Sequence, residues 1–318
     1  MFRMALAAAA AVLIGLATAP AVSQERAAVA WDVTLENDKW GEGTDRHYTA
    51  GTRIARTSDA TPQWVQRIFA PLRCLACTAP RALKVEVGQE IYTPENTLTS
   101  ALVVDDRPYA GWAYGSLTVF GERDASARRS AINELTLELG VVGPASLAER
   151  AQRLMHREQK IGAAQGWHYQ LENEVGAVMT YKRGMRAALG RNRGPFRHDV
   201  APYFEGTVGN LETYVGGGVM WRSGSNLDTD SVASSPGWRM FVDLNARAVV
   251  RNALLGGNIQ TGSYYSVVPE PVVASVATGI EYQARHFRVS FTRERRSLEF
   301  VGQREADEYG AISFSVSP

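Results

Sequence analysis

Glu134-Leu135-Thr136-Leu137-Glu138-Leu139-Gly140-Val141 is the stretch whose reading decides the fold. Leu135, Leu137, Leu139 and Val141 fall at every second position, against Glu134, Thr136, Glu138 and Gly140. A period of two sends the two sets to opposite faces of an extended strand. The pattern recurs outward along the chain. Leu83, Val85 and Val87 alternate with Lys84, Glu86 and Gly88, and Phe287, Val289 and Phe291 with Arg288, Ser290 and Thr292. Trp238, Met240, Val242, Leu244 and Ala246 alternate in the same way with Arg239, Asp243, Asn245 and Arg247. In all, twelve strands are predicted, near 31–38, 47–56, 82–93, 109–122, 130–143, 166–184, 198–209, 212–223, 237–250, 272–284, 286–297 and 308–316.

Met1 to Ser23 reads as a secretory signal peptide: Arg3, an apolar run, then small residues at Ala19, Ala21 and Ser23. Residues 24–318 then form a single domain. No later apolar run approaches the roughly 18 residues of a spanning helix. A spanning structure must therefore be a closed barrel, because lipid offers exposed backbone no partner. Strands of ten or so residues in an exported chain predict an all-β fold, a transmembrane antiparallel β-barrel in the bacterial outer membrane. An even strand count puts both termini on the periplasmic side. Trp112, Tyr114, Trp167, Tyr169, Tyr181, Trp221, Trp238, Tyr264 and Tyr265 fall near strand ends, as interfacial girdles would. Glu134, Glu138, Arg239, Asp243 and Arg247 are then lumenal, where charges can pair across the barrel.

Lysine plus arginine number 34 and aspartate plus glutamate 33, a balance that shows no nucleic-acid footprint. The two cysteines, Cys74 and Cys77, suit a local disulfide in an exported protein better than half a zinc site. Two segments carry helical signals. In Pro62–Leu72, Trp64, Ile68 and Phe69 share one face, in a periplasmic connection. In Pro144–Ile161, Ser146 and Glu149 form a capping-box signature that starts a short helix near Leu147, in an extracellular loop.

Four clusters could carry chemistry. They are Glu36-Asn37-Asp38, Thr44-Asp45-Arg46-His47-Tyr48-Thr49-Ala50-Gly51, Asp105-Asp106-Arg107-Pro108-Tyr109-Ala110-Gly111-Trp112, and His156 with Gln165–Glu174. Each alone reads as loop caps, a hairpin pair, a strand start or a surface histidine. The twelve-strand topology brings all four to one rim. A histidine can act as general base near neutral pH. A hard cation held by aspartate and amide oxygens can polarise an ester carbonyl. No Gly-x-Ser-x-Gly, HExxH or phosphate loop is present.

These clusters, with Ile91-Tyr92-Thr93-Pro94, Gly140–Pro144 and Gly209-Asn210-Leu211, resemble the LpxR-type lipid A 3′-O-deacylase family. Matches run in consistent order from about 31 to 223, and the last three strands fit in pattern only. The resemblance implies a twelve-stranded barrel and calcium-dependent removal of the 3′-linked acyloxyacyl group of lipid A, the lipid anchor of lipopolysaccharide. It implies that Asn37, Asp38, Thr49 and His156 occupy active-site positions. His156 would activate water. Asp38, with Asn37, would hold or orient Ca2+, and Thr49 would support the site or bind substrate.

Two departures stand out. A family glutamate six residues beyond the histidine is Gly162 here, so Glu158, Glu172 or Glu174 would have to substitute, Glu158 as a metal ligand. The loop after Pro94 lacks a Lys-Arg pair that could grip lipid A phosphates, which leaves Arg107 as the nearest basic residue. A phospholipase-like hydrolase and a non-catalytic barrel remain as alternatives, and oligomeric state is left open.

Overall fold

A computed structural model describes residues 29–41, 46–68, 80–126, 129–160, 162–190, 196–227, 235–260 and 265–317. The expected signal peptide, the Cys74–Cys77 bridge, and Thr44 and Asp45 of the second cluster lie outside the described residues. The strands are β1 (Val29–Asn37), β2 (His47–Ser58), β3 (Pro80–Thr93), β4 (Ala110–Ser126), β5 (Arg129–Val142) and β6 (Glu174–Leu189). There follow β7 (Arg197–Gly209), β8 (Glu212–Gly224), β9 (Gly237–Asn252), β10 (Val272–Gln283), β11 (Phe287–Arg296) and β12 (Asp307–Val316). Each strand pairs with its sequence neighbours, and β1 pairs with β12 to close the barrel. No described helix is long and apolar enough to cross a membrane.

Alternation sorts the side chains as the sequence predicts. Leu139, Leu244, Phe287, Val289 and Phe291 face outward and are exposed. The inward set is charged and paired: Arg239 with Glu281 at 3.1 Å, Arg247 with Glu212 at 3.1 Å, and the Tyr203 hydroxyl donating to Asp243 at 2.9 Å. Such pairing lowers the cost of burying charge inside a narrow barrel.

Several expectations change. Predicted strand 166–184 begins at Glu174 and runs to Leu189 instead. Trp167 lies in a 3₁₀ turn, Trp167–Tyr169, buried against Tyr109 and bonded through its indole N–H to Gln152 Oε1 at 2.7 Å. Trp112 and Tyr114 are not interfacial; they stack against each other among buried residues (centroids 5.7 Å). The third change concerns the periplasmic helix α1, Gln63–Ile68. Its buried residue is Val65, which packs on Leu83 and Val119, while Trp64 is exposed. Leu83 and Val119 have the outward parity of their strands, so α1 lies against the outside of the wall.

The extracellular helix α2, Ala148–Gln159, also packs outside, against β3 and β4. Ala148, Gln152 and His156, four residues apart, form its buried face. Gly111 makes room for it: a Cβ there would sit 2.1 Å from Ser146 Oγ and 2.3 Å from Ala148 Cβ. The capping-box reading is corrected. Leu147, in the left-handed conformation, occupies the N-cap without a side-chain bond, and the Ser146 hydroxyl donates to the Gly143 carbonyl at 2.6 Å. Glu149 pairs instead with Arg153, one turn along, at 2.6 Å. A third short helix, α3 (Ala253–Gly256), opens the β9–β10 loop.

Leu244 sits midway along β9 on the lipid face. Leu244→Arg is expected to cost about 2–4 kcal/mol, the range for a midplane cation on a barrel exterior. Urea unfolding in phospholipid vesicles measures this, and a loss below about 1 kcal/mol would move Leu244 out of the apolar band.

Candidate active site

The site begins with a register row. Arg293 pairs with Gly310, Gly310 with Asn37, Asn37 with Ala50, Ala50 with Ile91, and Ile91 with Gly111. By strand parity all of these positions face outward, and the row runs round the extracellular rim. Above it, a register shift between Tyr48 and Ala50 inserts Thr49 as an extra residue. Such a bulge re-aims a side chain. The Thr49 and Thr93 hydroxyls, both buried, are hydrogen-bonded at 2.8 Å.

Asn37 ends β1 and caps a 3₁₀ turn, Asp38–Trp40. Its amide accepts from Lys39 N–H at 3.1 Å and donates to the Thr49 carbonyl at 2.9 Å. The turn folds back over β12, where Gly310 lets it approach: a Cβ there would lie 2.7 Å from Trp40 Cβ. Asp38 is buried, and its Oδ2 accepts from the Arg46 N–H at 2.6 Å. Asn37, Asp38 and Thr49 are thereby brought together.

His156 comes to the neighbouring strands on the buried face of α2. Its Nδ1 lies 2.7 Å from the Gly162 carbonyl. A carbonyl only accepts, so Nδ1 carries the hydrogen and Nε2 is the basic nitrogen of the neutral ring. Gly162 therefore supplies through its backbone a support that a carboxylate side chain could supply. The remaining candidates fall elsewhere. Glu158 is exposed, two residues round the helix from His156. Glu174 bonds Asn210 Nδ2 at 3.2 Å and the Gln260 N–H at 3.0 Å.

Arg107 is not placed to hold a substrate phosphate. It is 2% exposed, its guanidinium lies 4.4 Å over the Tyr92 ring, and it pairs with Glu299 at 3.5 Å. Glu299, in the β11–β12 loop, also meets Arg296 at 3.1 Å and Arg247 at 3.3 Å. Burial alone would raise its pKa, but Arg296, Arg107 and Arg247 outweigh it and hold the carboxyl down to about 2.

His47 is the second buried histidine. Its Nδ1 lies 2.6 Å from Asp307 and its Nε2 3.2 Å from Asp106. Two carboxylates on two ring nitrogens require both nitrogens to donate, so the ring is an imidazolium. It ties β2, the β3–β4 loop and β12 together. Burial would raise the Asp106 pKa, yet the His47 bond and backbone N–H donors lower it below the usual value.

Among the described residues, no three His, Cys, Asp or Glu side chains converge as a metal site. Asp38 is the carboxylate that lies beside Asn37 and Thr49. Calcium takes six to eight oxygens and draws its affinity from carboxylate charge. Asp38, Asn37 and Thr49 alone supply fewer oxygens than that, and residues 42–45 after the turn lie outside the described residues.

A closed twelve-stranded barrel with an apolar outer face and a charged, paired lumen defines an outer-membrane protein. A family model described as outer membrane protein LpxR matches residues 6–317, and the chain belongs to that family. The solved structure of LpxR from Salmonella typhimurium is similar over 90% of this chain and 99% of that one, with a TM-score of 0.75 at 19% identity. At that identity the likeness speaks for the fold. The β-domain of the Bordetella autotransporter BrkA covers 92% of this chain and 100% of its own, with 7% identity and a TM-score of 0.48. No curated relative matches the sequence.

The stability that ionised Glu299 adds should be complete above about pH 4.5 and lost as pH falls towards 2. The stability gap between wild type and Glu299→Gln, from urea unfolding, is expected to shrink over that window. A gap constant from pH 6 to pH 2 would overturn this account.

Proposed function

We propose that this protein hydrolyses the 3′-linked acyloxyacyl ester of lipid A in the outer leaflet. One observation carries the reading: Asn37 and the buried Thr49–Thr93 hydroxyl pair lie at the outer wall of the barrel, beside the helix whose buried face bears His156. A leaflet lipid can reach an outward site without leaving the membrane. Family membership supports the same reading.

His156 Nε2 takes a proton from water, and the hydroxide adds to the ester carbonyl. With Thr93 donating to the Thr49 oxygen, the Thr49 hydrogen is directed at the developing oxyanion. Asn37 fixes the Thr49 backbone while its other bond holds the 3₁₀ turn. The tetrahedral adduct collapses, the C–O bond to the sugar breaks, and the imidazolium returns its proton to the 3′-oxygen. The products are a free acyloxyacyl acid and a 3′-hydroxyl. Calcium held beside Asp38 and Asn37 would polarise the ester carbonyl.

His156→Ala should lower hydrolysis by about 10²–10⁴-fold, the usual worth of a general base, with the barrel still folded. Mass spectrometry of lipid A from cells expressing each form reads this as loss of one acyloxyacyl unit with wild type alone. Lipid A unchanged in cells with folded wild-type barrel would sink the proposal. Chelation should abolish wild-type hydrolysis if calcium serves as the resemblance implies, and hydrolysis that survives it would remove the ion from the account.

A further inference from the structure

We infer that Arg293 and Arg295 form the phosphate-gripping subsite for lipid A, taking the 4′-phosphate that neighbours the scissile ester. The inference rests on the deacylase reading of the site. The outward face of β11 reads Phe287, Val289, Phe291, Arg293, Arg295. The first three are exposed apolar side chains, as lipid contact requires. The face then changes to arginine for its last two positions. At about 3.4 Å per residue, Arg295 stands roughly 14 Å along the strand from Phe291, at the level of head groups. A cation on a barrel exterior is costly at mid-membrane and nearly free at the interface.

Both guanidinium groups look outward, with side chains 52% and 68% exposed. They share one acid. Arg293 Nε donates to Glu308 at 2.9 Å, and Arg295 Nη1 lies 3.6 Å from the same carboxylate, which is 14% exposed. Two cations on one anion leave a net positive charge. Arg293 is further fixed by donating to the Gly41 carbonyl at 3.2 Å. Among the described residues, Arg295 pairs with Glu308.

Register sets the reach. Arg293 pairs with Gly310 and Gly310 with Asn37, so two strand spacings, roughly 10 Å, separate Arg293 from the proposed catalytic wall. Between them lies the turn bearing Trp40, seated on Gly310. In lipid A the 4′-phosphate is carried on the carbon next to the 3′-ester. An ester held at Asn37 and Thr49 therefore places that phosphate within an arginine side chain's length of Arg293. Bidentate guanidinium–phosphate pairing is the chemistry both arginines offer. It replaces the Lys-Arg pair missing after Pro94 with one on the opposite side of the site.

The test compares purified wild type, R295Q, R293Q/R295Q and R293K/R295K on lipid A with and without its 4′-phosphate. Wild type is expected to show a KM about tenfold lower for the 4′-phosphorylated form, the worth of one charge-assisted contact. R293Q/R295Q should lose most of that preference, R295Q part of it, and the lysine pair should keep some. A double variant that keeps the full preference, or whose loss lies in kcat alone, overturns the inference while leaving the deacylase reading intact. If wild type cleaves neither lipid, the deacylase reading fails, and native mass spectrometry of retained lipid still reads the patch. There, 4′-phosphoryl lipid A held by wild type and shed by R295Q supports the subsite. Equal retention by both, or equal retention of phosphatidylglycerol, overturns it. R295Q alters an exposed side chain and leaves Arg293 in place, so misfolding cannot imitate its effect.

Discussion

Lipid has nothing to offer an unpaired peptide N–H or C=O, and this constraint is met where β1 joins β12. Seven residue pairs, from Trp31–Val316 to Asn37–Gly310, remove the last two free edges of the sheet. The rest of the molecule follows from that closure. Every strand must then divide its side chains between lipid and lumen. The lumen fills with paired charges, and the candidate site lies at the outer wall. At the extracellular rim, the Asp38–Trp40 turn, Thr49 and α2 are all local additions to that wall. Each needs either a small residue beneath it, as at Gly310 and Gly111, or a bulge, as at Thr49.

Much of this was legible in the sequence because a period of two survives any tertiary context that keeps one face in lipid. Twelve strands were predicted and twelve form, with ends mostly within a few residues. The exceptions share a cause. Gln165–Asn173 carries strand-like aromatics, but Trp167 is claimed by Tyr109 and Gln152 and turns inward to a loop core. Ser146 carries a capping signature, but its hydroxyl is held by Gly143 and its side is pressed on Gly111. In both places packing partners distant in sequence outweighed a local preference.

The site was legible by residue type and not by partner. Asn37, Asp38 and Thr49 converge as expected, and His156 faces the wall. The group that orients His156 is a backbone carbonyl, which no residue pattern reveals. Arg107 was the basic residue nearest the motif in sequence, yet it is locked under Glu299. Arg293 and Arg295 did leave a trace, a break in the apolar face of β11. Its meaning depends on a register that joins the two ends of the chain.

That joining has a temporal side. Asn37 and the turn after it come from the first strand, whereas Gly310, Glu308 and Asp307 come from the last. The working surface straddles the seam, so it does not exist while the two ends are apart. On the deacylase reading, a chain whose first and last strands have not yet paired is therefore an unassembled catalyst. On that reading, closure of the barrel is itself the activation event, and it occurs in the membrane where the proposed substrate resides.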